Sequence, residues 1–528
     1  MITSNFFFKV LTFVPDVTTN TKNKKIYFVL SLLFLSMLCA CNAYNVLVVF
    51  PLAGTSHSIL GDGIVTPLLN AGHKVTYIIG LDKKINHPNL TKIVMMSIKA
   101  MINKEIDFNS NTMLHFFMQE LSKGTLMDVN VQKLLADKTQ HFDAVIAEWM
   151  WSDVYAGLAA VYGCPLIWFS SVEPHWQVLR LIDENLSPAY NADTLTAVEP
   201  PFSFFERMEQ LWIQISISFV KRYLYTALVP HIKARGRPVP DYGEVLFNAS
   251  LLFGNSHVSM GRATRLPQSY KPIGGYHIDR KVKPLPDDLQ KLLDNAKNGL
   301  IYFSMGSNLK SKDLPDEMKD SLLKVFGELK QTVLWKFEEA LPNAPKNVHI
   351  VNWAPQNSIL AHPNTVLFIT HGGLLSTTEA IHFAKPIIGI PVFADQFINT
   401  KRAVSKGFAR EVQLSYTMEA PLREAIKEMV SNPKYAQKAK EISFIYHDRP
   451  IHPSEEVSHW TEHVIETNGA PHLRSAALIV PWYQKMYLDF LAVLVIAIFI
   501  LVKILKALCR TVCSKLCKKK DDKKKKNN

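Results

Sequence analysis

The stretch from Asn45 to Ile79, NVLVVFPLAGTSHSILGDGIVTPLLNAGHKVTYII, contains a complete β-α-β pattern. Asn45 to Phe50 is a continuous apolar run, which predicts a strand buried on both faces. The loop Ala53 to His57 leads into helical spacing from Ser58 to Asn70, and Lys74 to Ile79 predicts the next strand. This pattern indicates a parallel α/β sheet of the Rossmann type.

The pattern begins again at Gly299. Leu300 to Ser304 predicts a strand, and the Gly/Ser loop Met305 to Asn308 follows it. Short apolar runs separated by helical stretches predict further strands in both halves, at 144–147, 166–169, 332–337, 348–351, 366–370 and 387–390. Helices are predicted at 151–162 and 315–330. We therefore expect two Rossmann-like domains that face each other across a cleft.

A segment rich in Pro, Gly and charge, Tyr270 to Pro286, separates the halves. The domain limits predicted from this organisation are an N-terminal signal sequence at 1–43, a first Rossmann-like domain at 44–275, a linker at 276–298, a second Rossmann-like domain at 299–470, a transmembrane helix at 487–508 and a basic tail at 509–528. Pro201 to Val229 is rich in apolar and aromatic residues, and its predicted roles are a binding pocket, a membrane surface or an ordinary core helix.

The composition excludes several classes of protein. Hydrophobic residues make up 48% and charged residues 20% of the 528 residues, which excludes a mainly disordered chain. Of the net charge of +13, the segment Lys503 to Asn528 carries eleven Lys and Arg against two Asp. Because the basic charge is confined to this tail, we expect no nucleic-acid groove on the body.

Both ends of the chain carry targeting signals. Lys22, Lys24 and Lys25 precede an apolar run at 26–38, and small residues up to Ala43 follow, as in a secretory signal peptide. The second apolar run, 487–508, is flanked by Trp482 and precedes the basic tail. The positive-inside rule places that tail in the cytosol and the body in the lumen, a type I topology. The alternative is a buried strand or helix for the first run and a buried C-terminal helix for the second.

The chemistry of the compartment is consistent with this topology. Lys525 and Lys526 resemble a dilysine retrieval signal of the endoplasmic reticulum, with a lipid-facing charge run as the alternative. Cys164 is the single cysteine of the lumenal body, so no intrachain disulfide is expected there. Asn89 and Asn248 open glycosylation sequons. No Cys/His cluster has zinc spacing and no Asp-x-Asp triplet occurs, so no metal cofactor is expected.

The most informative motif is His371-Gly372-Gly373, which follows the predicted strand 366–370. Two glycines let a ligand approach the backbone, and a helix predicted to begin near Ser376 offers free N–H groups and the positive end of its dipole. This arrangement favours a diphosphate, to which His371 can donate.

The block from Asn352 to Thr400, which contains this motif, resembles the signature of the UDP-glycosyltransferases of the secretory pathway. The resemblance extends from Asn45 through the basic tail, and the wording His-Gly-Gly-Leu-Leu-Ser is most similar to insect members. It implies the GT-B architecture of two facing Rossmann-like domains, with UDP-sugar as co-substrate, a lipophilic acceptor held by the first domain and a single membrane pass.

The resemblance also implies a donor site. In it, Trp353 stacks on uracil, Gln356 bonds the uracil edge, and Glu379 accepts from ribose hydroxyls; a core Trp is the alternative for Trp353. The other donor-site residues it implies contact the phosphates or the sugar, namely Ser307, His371, Gly372, Gly373, Ser376, Asp395 and Gln396. The sequence departs from many relatives at Leu375, where they have Asn, and at Lys336, where vertebrate members have Arg. Since Lys lacks the planar fork of Arg, we expect UDP-glucose rather than UDP-glucuronate.

The catalytic pair implied by the resemblance is His57 as base and Glu148 as the acid that orients it. From its position at a helix N-terminus, we expect the pKa of His57 to be lowered, which keeps the imidazole neutral. Asp143 is expected to be structural, and Asp153 is a substitute candidate for the acid.

These expectations combine into one hypothesis: inverting transfer of a hexose to a hydroxyl of a small lipophilic acceptor in the endoplasmic reticulum membrane. The alternatives are glucuronosyl transfer and a catalytically idle UDP-sugar- or lipid-binding membrane protein. The identity of the acceptor is left open, and so is the oligomeric state, with a homo-oligomer as one possibility.

Overall fold

The computed structural model describes residues 43–82, 85–96, 111–184, 186–193, 196, 198–218, 224–261, 263–307 and 313–526. The predicted signal sequence, apart from its last residue, lies outside the described residues.

The elements of the first half alternate between strands and helices. They are β1 (Asn45–Phe50), α1 (Thr55–Asn70), β2 (Lys74–Ile79), β3 (Leu90–Val94), α2 (Asn111–Met127), α3 (Val129–Ala136), β4 (Ala144–Trp149), α4 (Ala156–Tyr162), β5 (Leu166–Ser170), α5 (Trp176–Leu179), α6 (Phe204–Ser218), α7 (Val229–Ala234), α8 (Tyr242–Leu246), β6 (Ala249–Gly254) and β7 (Tyr270–Pro272).

The second half repeats the alternation and ends in helices. Its elements are α9 (Asp287–Asp294), β8 (Leu300–Ser304), α10 (Asp316–Gly327), β9 (Thr332–Lys336), β10 (Val348–Val351), α11 (Gln356–Ala361), β11 (Thr365–Thr370), α12 (Leu374–His382), β12 (Ile387–Gly389), α13 (Gln396–Ser405), β13 (Ala409–Glu411), α14 (Glu419–Ser431), α15 (Lys434–His447), α16 (Pro453–Glu466), α17 (Trp482–Lys485) and α18 (Leu488–Lys526).

Two parallel sheets confirm the predicted α/β fold. The first has the strand order β3-β2-β1-β4-β5-β6-β7, and the second has the order β10-β9-β8-β11-β12-β13. Strand order reverses between β1 and β4 in the first sheet and between β8 and β11 in the second. In open parallel sheets, ligands bind beyond the carboxyl ends of the strands at such reversal points.

The central strands are buried because their side chains are apolar on both faces. In β1 five of six residues are buried, and β4, β5 and β8 are buried throughout. Helices cover both faces of each sheet, so continuous apolar runs rather than alternating ones are the pattern that such strands need.

One predicted helix, 151–162, begins later than expected. The structure forms a loop first, because Trp151 has a φ of 50°, which helices do not allow. Asp153 is held in that loop by Trp149, whose Nε1 donates to Asp153 Oδ1 at 2.6 Å, and by the Arg180 guanidinium at 3.2 Å. The helix α4 starts after this loop, at Ala156.

The chain crosses between the two sheets twice. It leaves the first sheet after β7 and enters the second at β8, and after α15 it returns, so that α16 packs against α1 of the first half. His73 Nε2 lies 3.1 Å from Glu462 Oε1 of α16, and Arg280 pairs with Glu455 of the same helix.

Helix α6, within the segment 201–229, has inverted polarity. Gln210 and Gln214 are buried, while large apolar side chains on the same helix are exposed, namely Phe204, Phe205, Met208, Leu211, Trp212 and Ile215. Gln210 Oε1 accepts from the backbone N–H of Asp193 at 2.7 Å. This exposed apolar face excludes the prediction of an ordinary core helix.

At the C-terminus, the part of the chain that the structure describes has one helix that is long and apolar enough to cross a membrane. This stretch is Leu488–Lys515 within α18, and none of it is buried against other parts of the protein. It begins within one residue of the predicted span, 487–508.

Candidate active site

The predicted site residues lie at the reversal points of the two sheets. His57 is in the first turn of α1, which follows β1, and Glu148 is the second-last residue of β4, both in the first half. Ser307 follows β8 and His371 follows β11, both in the second sheet. The fold therefore places these side chains at the edge where open α/β sheets bind ligands.

His57 and Glu148 form a hydrogen-bonded pair. His57 Nδ1 lies 2.6 Å from Glu148 Oε1, with the carboxylate fully buried and the imidazole 15% exposed. Because an ionised carboxylate only accepts, Nδ1 carries the proton in the neutral ring, and Nε2 keeps its lone pair. The partner predicted for His57 thus contacts it directly, and the longer side chain of Glu reaches it without difficulty.

The expected pKa shift of His57 was wrong in direction. Burial lowers its pKa, but the charge of Glu148, its hydrogen bond and the charge of Asp395 outweigh burial, so the pKa of His57 is raised. The helix dipole, on which the expectation was based, is smaller than a direct carboxylate contact. Since Asp395 belongs to the second half, the imidazole is influenced by one carboxylate from each half.

The other two acidic candidates have structural contacts. Asp143 Oδ2 accepts from the backbone N–H of Asn45 at 2.7 Å and thereby joins the start of β4 to β1. Asp153 binds Trp149 and Arg180 as described above, so it does not replace Glu148 as the partner of His57.

The His371-Gly372-Gly373 motif packs tightly against its surroundings. Gly372 has a φ of 80°, and a Cβ there would lie 2.2 Å from Thr400 Oγ1. A Cβ on Gly373 would lie 2.5 Å from the His371 ring, and so would one on Gly306. These positions require glycine, and the imidazole of His371 is held between the β8 and β11 loops.

Helix α12 starts at Leu374, two residues earlier than expected, with Gly373 as its N-cap. Glycine has no side chain with which to accept from the first N–H groups, so these groups are available to an anion. Burial, followed by the charge of Lys336, lowers the pKa of His371 to about 4. His371 is therefore neutral near pH 7, and it can offer one N–H donor to a ligand.

Three predicted donor-site residues form one cluster on α11 and α12. Gln356 Nε2 donates to Ser376 Oγ at 3.1 Å and also to Glu379 Oε2. Ser376 and Glu379 are both buried. Ser376 thus provides a polar side chain beside Leu375.

Trp353 and Lys336 lie next to this cluster. Trp353 is 62% exposed, which excludes the alternative of a core Trp and leaves a ring face open for stacking. Lys336 Nζ lies 5.8 Å from the centre of that ring. It also donates to Gly306 O at 2.8 Å and pairs with Glu338 at 2.8 Å, so its charge is already matched by a carboxylate.

Asp395 and Gln396 stand at the start of α13. Asp395 Oδ2 accepts from Asn399 Nδ2 at 2.7 Å, and burial raises the pKa of Asp395. Gln396 Oε1 accepts from the N–H groups of Val392 and Phe393 at 2.9 and 3.1 Å. The carbonyl of Gln396 therefore fixes the preceding loop, and its amide nitrogen remains as the donor.

Two residues near the site were not found from the sequence. Glu173 follows β5, and burial, opposed mainly by the charges of Arg402 and Lys406, raises its pKa to about 7. His277, just after β7, lies 3.7 Å from Glu379. Neither residue stands in a motif with characteristic spacing, so only the three-dimensional arrangement reveals them.

The described residues contain no group of three or more His, Cys, Asp or Glu side chains placed to hold a metal ion. Of the sequon asparagines, Asn89 is half-buried with Nδ2 3.3 Å from Gly72 O. Asn248 is exposed, and its Oδ1 accepts from Arg474.

The sequence is similar to known UDP-sugar transferases over most of its length. A sequence model of the family "UDP-glucoronosyl and UDP-glucosyl transferase" matches residues 70–524. UDP-glucosyltransferase 2 of Dactylopius coccus is 30% identical over 492 residues, which cover 90% of this chain and 95% of the relative. UDP-glucuronosyltransferase 2B15 of Rattus norvegicus is 30% identical over 342 residues, 64% of each chain.

Solved structures support the fold alone. A UDP-glucosyltransferase from Polygonum tinctorium aligns with a TM-score of 0.53 at 16% identity and covers 80% of this chain and 99% of that chain. The calicheamicin glycosyltransferase CalG4 aligns with a TM-score of 0.54, also at 16% identity, over 81% of this chain and 99% of that chain.

Proposed function

The chain belongs to the family of UDP-glucuronosyl and UDP-glucosyl transferases and transfers a hexose from a UDP-sugar; from this premise we propose that the sugar is glucose and that the acceptor is a hydroxyl of a small lipophilic molecule. The observation that carries the proposed chemistry is the His57–Glu148 pair, since a protein that only binds UDP-sugar needs no buried carboxylate 2.6 Å from a histidine.

In the proposed reaction, Nε2 of neutral His57 takes the proton of the acceptor hydroxyl. The acceptor oxygen attacks C1 of the sugar as the bond from C1 to the UDP oxygen breaks on the opposite face, so the configuration at C1 is inverted. Glu148 keeps Nδ1 protonated and stabilises the imidazolium. The negative charges of Glu148 and Asp395, one from each half, both stabilise the protonated ring of His57.

The leaving UDP gains negative charge, and the proposed site meets it with fixed donors. The first N–H groups of α12 and the N–H of neutral His371 point to the phosphates. The exposed ring of Trp353 takes uracil, Gln356 its edge, and Glu379 the ribose hydroxyls. Asp395 and Gln396 hold the sugar, and Ser307 contacts phosphate. These roles require no metal, because the dipole and the N–H groups supply the compensating charge.

The preference for glucose rests on Lys336. A glucuronate carboxylate needs an unmatched cation, preferably the planar fork of Arg. The cation that we assign to this position is Lys336, beside Trp353. It is already paired with Glu338 at 2.8 Å. A neutral hexose has no such requirement, and UDP-glucuronate is the second candidate donor.

The proposed location is the endoplasmic reticulum membrane. The stretch Leu488–Lys515 is long and apolar enough to cross a membrane. In the proposed topology it spans the bilayer, the body is lumenal and the basic tail is cytosolic, as the positive-inside rule requires. A cleaved signal peptide and glycans on Asn89 and Asn248 belong to this topology. Endoglycosidase treatment tests the lumenal position of the body. It should lower the apparent mass of the wild type, by less when one of the two sequons is removed, and should have no effect when both are removed.

The decisive test is turnover. Microsomes that contain the full chain are given phenolic acceptors with UDP-glucose, UDP-glucuronate or UDP-galactose, and the His57→Ala variant serves as the control. We expect transfer from UDP-glucose in excess of the other donors, and a loss of about 10²–10⁴-fold in the variant. Transfer from UDP-glucuronate alone would replace the proposed donor. No transfer from any of the three would favour the idle binding protein.

A further inference from the structure

A histidine in the segment that joins the two halves lacks the contacts expected of a buried polar group. The side chain of His277 is fully buried, and among the described residues neither of its ring nitrogens has a hydrogen-bond partner. Nearly all buried polar atoms in proteins are paired, and an unpaired one destabilises the fold. We therefore expect the ring of His277 to form a hydrogen bond in another state of the protein.

The nearest such group is the carboxylate of Glu379. His277 Nε2 lies 3.7 Å from Glu379 Oε1, which is too long for a hydrogen bond, but a shift of roughly 0.7 Å would bring the pair into range. The other oxygen, Glu379 Oε2, accepts from Gln356. Glu379 is thus flanked by a donor from its own half on one side and by the joining segment on the other.

The residue before His277 fixes the segment to the catalytic helix. Tyr276 donates its hydroxyl to Leu60 O of α1 at 2.8 Å. Gly63 of α1 faces the same residues so closely that a Cβ there would lie 2.7 Å from the Tyr276 ring and 3.1 Å from the Cα of His277. Since α1 also carries His57, two consecutive residues connect the helix of the base with Glu379.

We propose that His277 is a positioning residue for the donor: when the ribose binds, His277 Nε2 donates to Glu379 Oε1 and orients that carboxylate. Tyr276 holds His277 in register with α1, so that donor binding and the placement of His57 are linked. The inference rests on the proposed function, because Glu379 is the ribose ligand only there.

The test compares substitutions that differ by one methylene group. In His277→Gln the amide nitrogen extends about as far as Nε2 of histidine and can reach Glu379, whereas in His277→Asn it cannot. We expect His277→Asn to raise the KM for UDP-glucose roughly ten- to hundredfold, the value of a hydrogen bond to a charged group. His277→Gln should restore it to within about threefold of the wild type, and the KM for the acceptor should be unchanged in both.

The matched control is His382→Asn. His382 lies at the end of α12, and its Nδ1 is also buried without a partner among the described residues, but its ring packs against Phe383 and Tyr446. A general loss of packing would affect this variant as much as His277→Asn. The rise in melting temperature caused by UDP alone, measured on the detergent-solubilised full chain, provides a second readout that needs no turnover.

A further variant, Glu379→Gln, separates the two hypotheses. If it raises the KM for UDP-glucose while His277→Asn and His277→Gln behave like the wild type, the role of His277 is refuted and the proposed function stands. If Glu379→Gln leaves that KM unchanged, the ribose assignment fails and the inference fails with it. Equal effects of His277→Asn, His277→Gln and His382→Asn would also refute positioning.

Discussion

At the scale of single residues, the contact between His57 and Glu148 controls the acid-base behaviour of the site. The imidazole must be neutral to accept a proton, and its pKa is raised because the two carboxylate charges and the hydrogen bond outweigh burial. Activity should therefore fall as the pH decreases through this raised pKa. At higher pH the base is fully available.

The variant Glu148→Gln tests this relation. Removing the charge leaves burial as the main influence, so the pKa of His57 should fall, and the acid limb of kcat/KM against pH should move to lower pH. The maximum rate should drop by about 10²–10⁴-fold, because an amide can bind the wrong tautomer of the ring. The measurement is kcat/KM between about pH 5 and pH 9.

Asp143→Asn is the control for this profile. Asp143 lies at the other end of β4 and holds a backbone N–H, so its replacement should leave the acid limb in place. If the acid limb of Glu148→Gln coincided with that of the wild type, Glu148 would not set the pKa of His57.

The residue scale also shows which features a sequence can reveal. The position of Glu148 followed from a family resemblance, and the structure puts it in contact with His57. The pKa direction could not be predicted, because it depends on two carboxylates that are distant in the chain, one 2.6 Å away and one in the other half. His277 and Glu173 depend likewise on neighbours that no local pattern identifies.

At the scale of elements, helix α6 departs from ordinary packing. Its glutamines face inward and its aromatic residues face outward. The buried Gln210 accepts from Asp193 N and donates to Thr196 Oγ1 at 3.3 Å. Polar contacts to Leu186, Asp193 and Thr196 therefore hold this side of the helix to the first half.

The contrast between the buried and the exposed face of α6 predicts unequal effects for two neighbouring substitutions. Gln210→Leu should lower the free energy of unfolding by about 1–3 kcal/mol, because it removes the buried hydrogen bonds of Gln210 to Asp193 and Thr196. Trp212→Ser, on the exposed face, should change it by less than about 0.5 kcal/mol. Thermal unfolding of the purified full chain measures both, and a larger loss in Trp212→Ser would mean that its ring is covered in the native protein.

The predictability of elements follows from where each strand lies in its sheet. Strands β1, β8 and β11 are central and mainly apolar, and their limits were predicted to within one residue. β7 and β13 have three residues each and lie at sheet edges, where too few side chains are buried to leave a pattern. The late start of α4 depends on the positive φ of Trp151, which apolar spacing cannot reveal.

At the scale of the whole molecule, Glu173 connects the first half with α12 and α13 of the second. It lines a small cavity together with Leu374, Thr377 and Arg402. It is buried with Oε1 unpaired among the described residues, and a Cβ on Gly261 would lie 2.1 Å from its Oε2. Burial raises its pKa to about 7, so ionisation of Glu173 is coupled to folding.

The coupling makes the protein less stable as the pH rises. In the unfolded chain the pKa of the Glu173 carboxyl is near 4.5. Below that pH the carboxyl is protonated in both the folded and the unfolded state, so its contribution to stability is fully present. Between that value and about 7, the unfolded chain releases its proton first, so stability is lost as the pH rises. The total loss is on the order of 3 kcal/mol for a shift of this size.

The variant Glu173→Gln cannot ionise but keeps the shape of the side chain. We expect its melting temperature to exceed that of the wild type at about pH 8 and to match it near pH 4.5. Glu184→Gln, which alters an exposed glutamate of the same half, should show no such pH-dependent gain. A wild-type protein that is as stable as Glu173→Gln across this range would show that Glu173 ionises freely.

The return of α16 to the first half has a consequence for proteolysis. The peptide chain joins the sheets through the segment after β7, and α16 packs against α1. Glu462 of α16 also pairs with His73, which follows α1 in the first half. A protease that cuts once between β7 and β8 would therefore yield two fragments that stay associated, because the C-terminal fragment still docks on the N-terminal one. Nicked enzyme should elute as one species under native conditions and separate only in denaturant.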